Sequence, residues 1–249
     1  MKTFLVVVPL ALVVFPSLAE TPPPPAPPAA NATPAPTVAK HHRLTYVLPK
    51  NPGPYTRVDG DAGSRGASIH EPEIFVLAPK HTGLTTAAQP SLFWYQTGPT
   101  KTPSHFTVTE RHAPTIKTPK ILLQVRAEGT DRGGFHHQSL AKYNAVLKPG
   151  VIYTWSISLR RNSNSPSQDI IASGTIERVA PDAQLTAAAT HTDAMSKASI
   201  CAGKGIWYDA LEAIGNEIDV TPNNKEIRRE RAILLDQESL VVAAAADRK

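Results

Sequence analysis

The chain has 249 residues, of which 41% are hydrophobic and 24 are proline, and its formal net charge is +5. This length suits one or two domains. The two densest basic groups, Arg160-Arg161 and Arg228-Arg229 with Arg231, are short, so we expect solvated faces and no nucleic-acid partner. The single cysteine excludes an intramolecular disulfide, so a buried core must stabilise the fold.

Residues 1–19 have the pattern of a cleavable secretory signal peptide. Lys2 supplies a positive charge, an apolar run covers residues 4–15, and the small residues Ser17 and Ala19 stand at the −3 and −1 positions. The run is shorter than the ~20 residues of a membrane-spanning helix, and no later segment is apolar for long enough. We therefore expect a periplasmic or secreted protein with no transmembrane segment in the mature chain.

A Pro/Ala-rich tract follows the signal peptide over residues 20–40. It contains no large apolar side chain before Val38, so it cannot form a core. Proline favours extended backbone, and we predict a disordered, semi-rigid linker. The remainder divides into a predicted β-domain (41–180), a helical appendage (181–240) and a disordered tail (241–249).

Seven short runs rich in β-branched and aromatic residues are separated by turn residues. They cover 73–78, 91–96, 105–110, 120–126, 141–147, 151–160 and 169–179. Residues 151–159 alternate between apolar and polar side chains, which is typical of a half-buried antiparallel strand. Ile121, Leu123 and Val125 show the same alternation and are predicted to share one face.

The spacing of Leu147, Pro149, Gly150 and Tyr153 resembles the tyrosine corner of Greek-key sandwiches. Together with the seven runs, it predicts a seven-stranded β-sandwich of the immunoglobulin or fibronectin III type. The consecutive aromatic residues 93–95 must face both sides of their strand. We expect one of these faces to be core and the other to be covered by helices.

Beyond Val179 the apolar spacing becomes helical. Candidate helices cover residues 183–189, 192–202, 206–214 and 224–239. In the third, Trp207, Leu211 and Ile214 lie at i, i+4 and i+7 and form a helical stripe. Asp182 is expected to cap the first helix, and Asn223 with Glu226 forms a capping-box-like pair at the start of the last. The predicted fold is therefore mainly β, with a C-terminal α-helical appendage packed against the sandwich.

Five segments of the chain resemble one bacterial family. They cover residues 83–85, 90–95, 153–156, 174–179 and 205–211, and the last, Gly-Ile-Trp-Tyr-Asp-Ala-Leu, is the most specific. With these segments, residues 64–235 are similar to the family called domain of unknown function 928. The family has no established activity, so the resemblance implies an exported bacterial protein and carries over no functional residue. The polar loop 130–137 departs from the family by its length.

No established catalytic or metal-binding motif is present, because the chain lacks a Gly-x-Ser-x-Gly elbow, a Cys-x-x-Cys pair, a His-Glu-x-x-His helix and a phosphate-binding loop. A metal site could use the adjacent His136-His137 with Asp131, although neighbouring strand residues point to opposite faces. Cys201 lies near Lys204, which would activate a nucleophilic thiol, but its spacing favours a small core residue.

Two carboxylate pairs complete the candidates, Glu71 with Glu73 and Asp209 with Glu212. Their spacing does not separate an acid/base pair from a solvated face. We expect Asp209 to bond to a neighbouring backbone group or to the helix start at Gly205.

The sequence therefore predicts no enzyme, no cofactor and no catalytic or metal site. Its leading interpretation is a non-enzymatic interaction module of the periplasm or cell envelope with a protein partner. A hydrolase of cell-wall polymers using sequence-distant carboxylates is one alternative. A periplasmic metal-binding protein is the other.

Signal peptidase cleaves after small residues, so the mature chain should begin at Glu20. Intact-mass analysis of protein recovered from outside the cytoplasm measures this directly. A mass that includes Met1 would contradict the signal-peptide assignment.

Overall fold

The computed structural model describes residues 43–54, 56–60, 72–100, 102–111, 120–127, 132–159, 169–191 and 193–249. The predicted signal peptide and linker lie outside these residues, as do Glu71, Asp131 and Arg160-Arg161. The chain from His41 to Lys249 forms one compact unit. Among the described residues, no helix has both the length and the apolar character needed to cross a membrane.

The described residues contain eight strands followed by five α-helices. The strands are β1 (Ile74–Val76), β2 (Gly83–Thr85), β3 (Ser91–Gln96), β4 (Ser104–Glu110), β5 (Lys120–Ala127), β6 (Gly134–Ser139), β7 (Ile152–Leu159) and β8 (Ile170–Arg178). The helices are α1 (Ala183–His191), α2 (Ala194–Gly203), α3 (Trp207–Val220), α4 (Lys225–Gln237) and α5 (Val241–Asp247), and a 3₁₀ turn covers Leu140–Tyr143.

The strands form two sheets, ordered β1-β3-β6 and β2-β8-β7-β4-β5. Neighbouring strands are antiparallel except β2 and β8, which run parallel. The sheets meet through aromatic side chains, because Trp94 of the first lies 6.4 Å from Phe106 of the second, ring centre to ring centre. The arrangement is a mixed α/β fold that corresponds broadly to a β-sandwich with C-terminal helices.

The β7 strand shows the alternation that the sequence predicts. Tyr153, Trp155, Ile157 and Leu159 are buried, and the residues between them are partly exposed. The Tyr153 hydroxyl accepts a hydrogen bond from the Lys148 backbone N–H at 3.2 Å. This bond joins the strand to the chain before the Pro-Gly turn, so the corner geometry predicted for Tyr153 is confirmed.

The predicted set of seven strands is wrong in three places. Residues 141–147 are not a strand, because a 3₁₀ turn there ends at Asn144 in the left-handed region (φ 52°) and buries Leu140 and Leu147. The short β2 and the polar β6 were not predicted. The segment expected to be a polar loop, 130–137, therefore contributes Gly134–His137 to β6.

The predicted face shared by Ile121, Leu123 and Val125 is also wrong. The pairing of β4 with β5 shifts by one residue, so Leu123 lies opposite Val108 whereas Ile121 lies opposite Thr109. Such a bulge reverses the side chains beyond it. Ile121 consequently points away from the core and is 52% exposed.

The helix starts agree with the sequence at α1 and differ by one residue at α4. The Asp182 carboxylate accepts the Leu185 N–H, as predicted. At α4 the cap is Asn224 rather than Asn223, and its side chain accepts the N–H groups of Glu226 and Ile227.

The predicted disorder of residues 241–249 is wrong, because this segment contains α5. Its alanines Ala243 and Ala244 are buried. The Asp247 carboxylate receives two hydrogen bonds of 2.6 Å from the Arg231 guanidinium, which also stacks on Phe135. Arg231, expected on a solvated face, is thus 4% exposed and fixes α5 to α4.

Residues 43–47 form a strap that crosses the helices, with Leu44 and Tyr46 buried. The Leu44 N–H donates to Glu230 and the Tyr46 N–H to Gln237, both on α4. The Tyr46 ring packs edge-on against Trp207. These contacts join the strap to α3 and α4.

Deletion of residues 20–49 should lower the free energy of unfolding by about 3 kcal/mol or more, because the protein loses the buried side chains of Leu44 and Tyr46. Deletion of residues 20–42 should change it by no more than about 0.5 kcal/mol, because the strap remains. Urea denaturation of the two variants tests the difference. Equal stability would show that the strap does not belong to the folded unit.

Candidate functional site

Helix α3 begins at a sharp turn that leaves no room for a side chain. Gly205 has φ +76°, and a Cβ there would lie 2.8 Å from the carbonyl oxygen of Val47 in the strap. The turn places Trp207 beside the sandwich, where its indole N–H donates to the Leu77 carbonyl at 2.8 Å. The predicted stripe of Trp207, Leu211 and Ile214 is fully buried.

Tyr208 is fully buried against the five-stranded sheet. Its hydroxyl accepts the Trp155 indole N–H at 2.8 Å and donates to the Thr175 carbonyl at 3.0 Å. Its ring lies against Gly83, where a Cβ would come within 2.5 Å of it. Burial raises the pKa of this phenol, so it stays protonated and serves as a neutral hydrogen-bond bridge.

The Asp209 carboxylate joins the first turn of α3 to strand β2. One oxygen accepts the Thr85 hydroxyl at 2.5 Å, and the other accepts the Thr86 N–H at 3.0 Å and the Thr86 hydroxyl. The residue is 8% exposed. Asp209 therefore does not bond to the helix start at Gly205, and the groups that it accepts from lie 123 and 124 residues earlier in the chain.

The other candidate groups near Asp209 also make structural contacts. Glu212 accepts the Ser91 N–H at 3.2 Å, and burial raises the pKa of its carboxyl. Burial and the Asp209 charge raise the pKa of the Cys201 thiol to about 12. The thiol is therefore protonated at neutral pH, and Lys204 pairs with Asp182 instead of activating it.

The two adjacent histidines lie on β6 and point to opposite faces, as strand geometry requires. His136 stacks on Trp94 at 5.6 Å between ring centres, and burial lowers the pKa of its imidazole. His137 lies against Phe93, 4.0 Å from an Asp219 oxygen. Within the described part of the chain, no three His, Cys, Asp or Glu side chains are grouped to hold a metal ion.

The predicted helical cover over the aromatic segment 93–95 is present on one sheet. The Phe93 ring packs against Gly215 of α3, where a Cβ would come within 2.7 Å of it. The opposite side of this sheet faces the interior through Trp94. Helix α3 packs on β2 and β3, so the helices cover the smaller sheet.

The outer face of the five-stranded sheet carries small hydroxyl side chains in register across three strands. Thr107 lies opposite Ser156, which lies opposite Ser173. We call this surface the hydroxyl face, and its six partly exposed members are Thr107, Thr109, Thr154, Ser156, Ser158 and Ser173. Three aliphatic side chains border it with about half of their surface exposed, namely Val58, Ile121 and Ile171.

This face was not predicted from the sequence, although one part of its pattern is visible there. The alternation along β7 places Thr154, Ser156 and Ser158 on the side opposite the core. What the sequence lacks is the pairing of β7 with β4 and β8, which brings separate hydroxyl rows together. The six residues of the face are Ser or Thr, so none of them is a carboxylate, histidine or cysteine that was considered a candidate from the sequence.

Asp209→Ala should lower the free energy of unfolding by about 3 kcal/mol, because the buried Thr85 hydroxyl and the partly buried Thr86 donors lose their acceptor. Asp219→Ala, which removes an exposed carboxylate from the same helix, should cost no more than about 0.5 kcal/mol. Urea denaturation of both variants measures the contrast. Equal small effects would show that Asp209 does not join α3 to β2.

We call the contacts between the start of α3 and the sandwich the helix–sandwich junction. It brings together segments by which the sequence resembles a known family, namely Gly83–Thr85, Trp155, Thr175 and residues 205–211. No curated protein matches the chain. The sequence model of the family described as Domain of Unknown Function (DUF928) matches residues 60–247. The chain belongs to this family.

Proposed function

We propose that this chain is an exported, non-enzymatic interaction module of the periplasm or cell envelope, and that it binds a protein partner through the hydroxyl face. The observation that carries the proposal is a partly exposed sheet face without a charged side chain at its centre. Export is supported by the apolar run 4–15 and by the small residues Ser17 and Ala19 that follow it.

An immunoglobulin or fibronectin III type of sandwich forms part of the proposal. If β1 and β2 are two halves of a first strand, the orders β1-β3-β6 and β8-β7-β4-β5 correspond to A-B-E and G-F-C-C′. The Tyr153 hydroxyl bond at the start of β7 supports the same assignment, because the tyrosine corner occurs on strand F.

The hydroxyl face shares one property with the centre of a protein interface, the lack of charged side chains among its six members. Such centres are depleted in charged residues, whereas the rim is polar and charged. The six members of the face are Ser or Thr. His105 stands beside Ser158 on β4, and Arg126 follows it in the same row on the edge strand β5. Short, neutral side chains on a sheet lose little conformational entropy when a partner covers them.

The aliphatic border points to a protein rather than to a polyanion. Ile121 and Ile171 stand at opposite edges of the face, 52% and 49% exposed, and Val58 is 54% exposed. Burial of these three side chains would add to the binding free energy a hydrophobic contribution that the hydroxyl groups cannot supply. A charged polymer would meet no opposite charge at the centre of the hydroxyl face. It would also have no apolar surface with which to cover Val58, Ile121 and Ile171.

The enzymatic alternative requires carboxylates that are free to reach a substrate. Asp209 and Glu212 are instead partly or fully buried and accept hydrogen bonds from Thr85, Thr86 and Ser91. These contacts favour a structural role for both and leave the binding role as the stronger proposal.

A photo-crosslinking amino acid at position 156 should yield discrete protein adducts in living cells, because Ser156 is central to the hydroxyl face. The same amino acid at position 220, which is 78% exposed at the end of α3, should not. Mass spectrometry of the adducts identifies the partner.

A charge introduced beside the crosslinker separates specific docking from chance encounters. Thr107→Arg should abolish the adducts at position 156, because it places an unpaired charge under the partner. Asn216→Arg, which adds the same charge on the exposed side of α3, should leave them intact. Adducts that persist with Thr107→Arg, or that are the same from positions 156 and 220, would contradict the proposal.

A further inference from the structure

A cationic concavity of about 720 Å³ lies between α4 and the residues at the end of α5. Its lining includes five cationic side chains and one acidic one: Lys225, Arg228, Arg229, Arg248, Lys249 and Asp247. We call this site the basic pocket. It lies outside both the hydroxyl face and the helix–sandwich junction.

Four of the five cations have no anionic partner among the described residues. Arg248 pairs with Asp236, and the only acidic lining residue, Asp247, is engaged by Arg231 through both of its oxygens. The Nε–H of Arg228 is buried and has no hydrogen-bond acceptor in the described part of the chain. The pocket thus concentrates positive charge that the protein does not neutralise.

The placement of these cations is unfavourable for the protein alone. Lys225 and Arg228 stand three residues apart, and Lys225 and Arg229 four apart, so they are neighbours of like charge on the helix surface. Lys225 also lies in the first turn of α4, where the helix dipole favours anions such as Glu226. An anion bound in the pocket would reverse both effects.

We propose that the basic pocket binds the phosphoryl groups of a ligand that carries several negative charges. The guanidinium groups of Arg228 and Arg229 supply planar donors that match phosphoryl oxygens, and Lys225 and Lys249 add point charges. A single phosphate would fill little of 720 Å³, whereas pockets of this size suit a ligand with several groups.

Two sources could present this chemistry, a soluble phosphate ester and the headgroup of an anionic phospholipid. Inorganic tripolyphosphate serves as the probe for the first. Vesicles of phosphatidylglycerol with phosphatidylcholine serve for the second, and pure phosphatidylcholine vesicles are their neutral control. The two arms share the residues of the pocket and differ only in the source of the phosphoryl group.

Isothermal titration of the full mature chain with tripolyphosphate should show binding that weakens about tenfold or more in Arg228→Gln/Arg229→Gln, because two charge-assisted contacts are lost. Lys142→Gln/Arg111→Gln, which removes the same charge from exposed positions elsewhere, should change it by less than about twofold. Because Arg228 is partly buried, the exposed pair Lys225→Gln/Lys249→Gln gives a second test that does not disturb packing.

Vesicle binding that requires phosphatidylglycerol, is displaced by tripolyphosphate and is lost in both pocket variants supports the lipid source. Binding of tripolyphosphate alone, lost in the same variants, supports the soluble source. The proposal is overturned if neither probe binds, or if the Lys142/Arg111 variant weakens binding as much as the pocket variants do.

Discussion

The hydrogen bonds of the Tyr208 hydroxyl are the contact on which the rest of the fold depends. Trp155 is fully buried in the sandwich, and its indole N–H needs an acceptor there. Strands of the sandwich surround the Trp155 ring with apolar side chains. The acceptor of its N–H is the Tyr208 hydroxyl of α3, at 2.8 Å. The sandwich and the helices therefore share one core, and the helical segment is part of the folding unit rather than an appendage to it.

The helix–sandwich junction also explains why Asp209 and Cys201, two potentially reactive side chains, have structural roles. Asp209 satisfies the donors of Thr85 and Thr86, and Cys201 is held protonated by its burial. Each group would be reactive in a polar, accessible cleft. Here their chemistry stabilises the contact between α3 and β2, and the surfaces left for recognition lie elsewhere.

The two sheets differ in what covers them, and this difference directs the proposed binding. The smaller sheet is covered on its outer face, where Phe93 meets α3 and Phe135 meets Arg231 of α4. The larger sheet presents its hydroxyl face instead. A partner that docks on this face would complete the layering that the helices provide on the opposite side.

The sequence predicted those elements whose own pattern reports their environment. Residues 151–159 alternate because one side of β7 is core and the other is not, and the stripe of Trp207, Leu211 and Ile214 marks the buried side of α3. Strand β6 shows no such pattern, because its side chains are covered by residues of other elements. Arg231 of α4 covers Phe135, and Trp94 of β3 stacks on His136, and the local sequence of β6 indicates neither contact.

The contacts of Asp209 and of the C-terminal helix could not be predicted for a related reason. Thr85 precedes Asp209 by 124 residues, and no local pattern pairs them. The alanine-rich segment of α5 has no polar face to indicate burial, yet Asp247 reaches Arg231 sixteen residues earlier and fixes it. Both contacts depend on topology, which single-sequence patterns do not contain.

The strap has a consequence for the order in which the chain can fold. The backbone N–H groups of Leu44 and Tyr46 donate to the side chains of Glu230 and Gln237, which lie 186 and 191 residues later in the chain. A nascent chain that has not yet acquired α3 and α4 leaves Trp155 without its acceptor and the strap without its surface. The strap can therefore dock only after α4 has been synthesised, and contacts of such sequence separation slow folding because loop closure costs entropy.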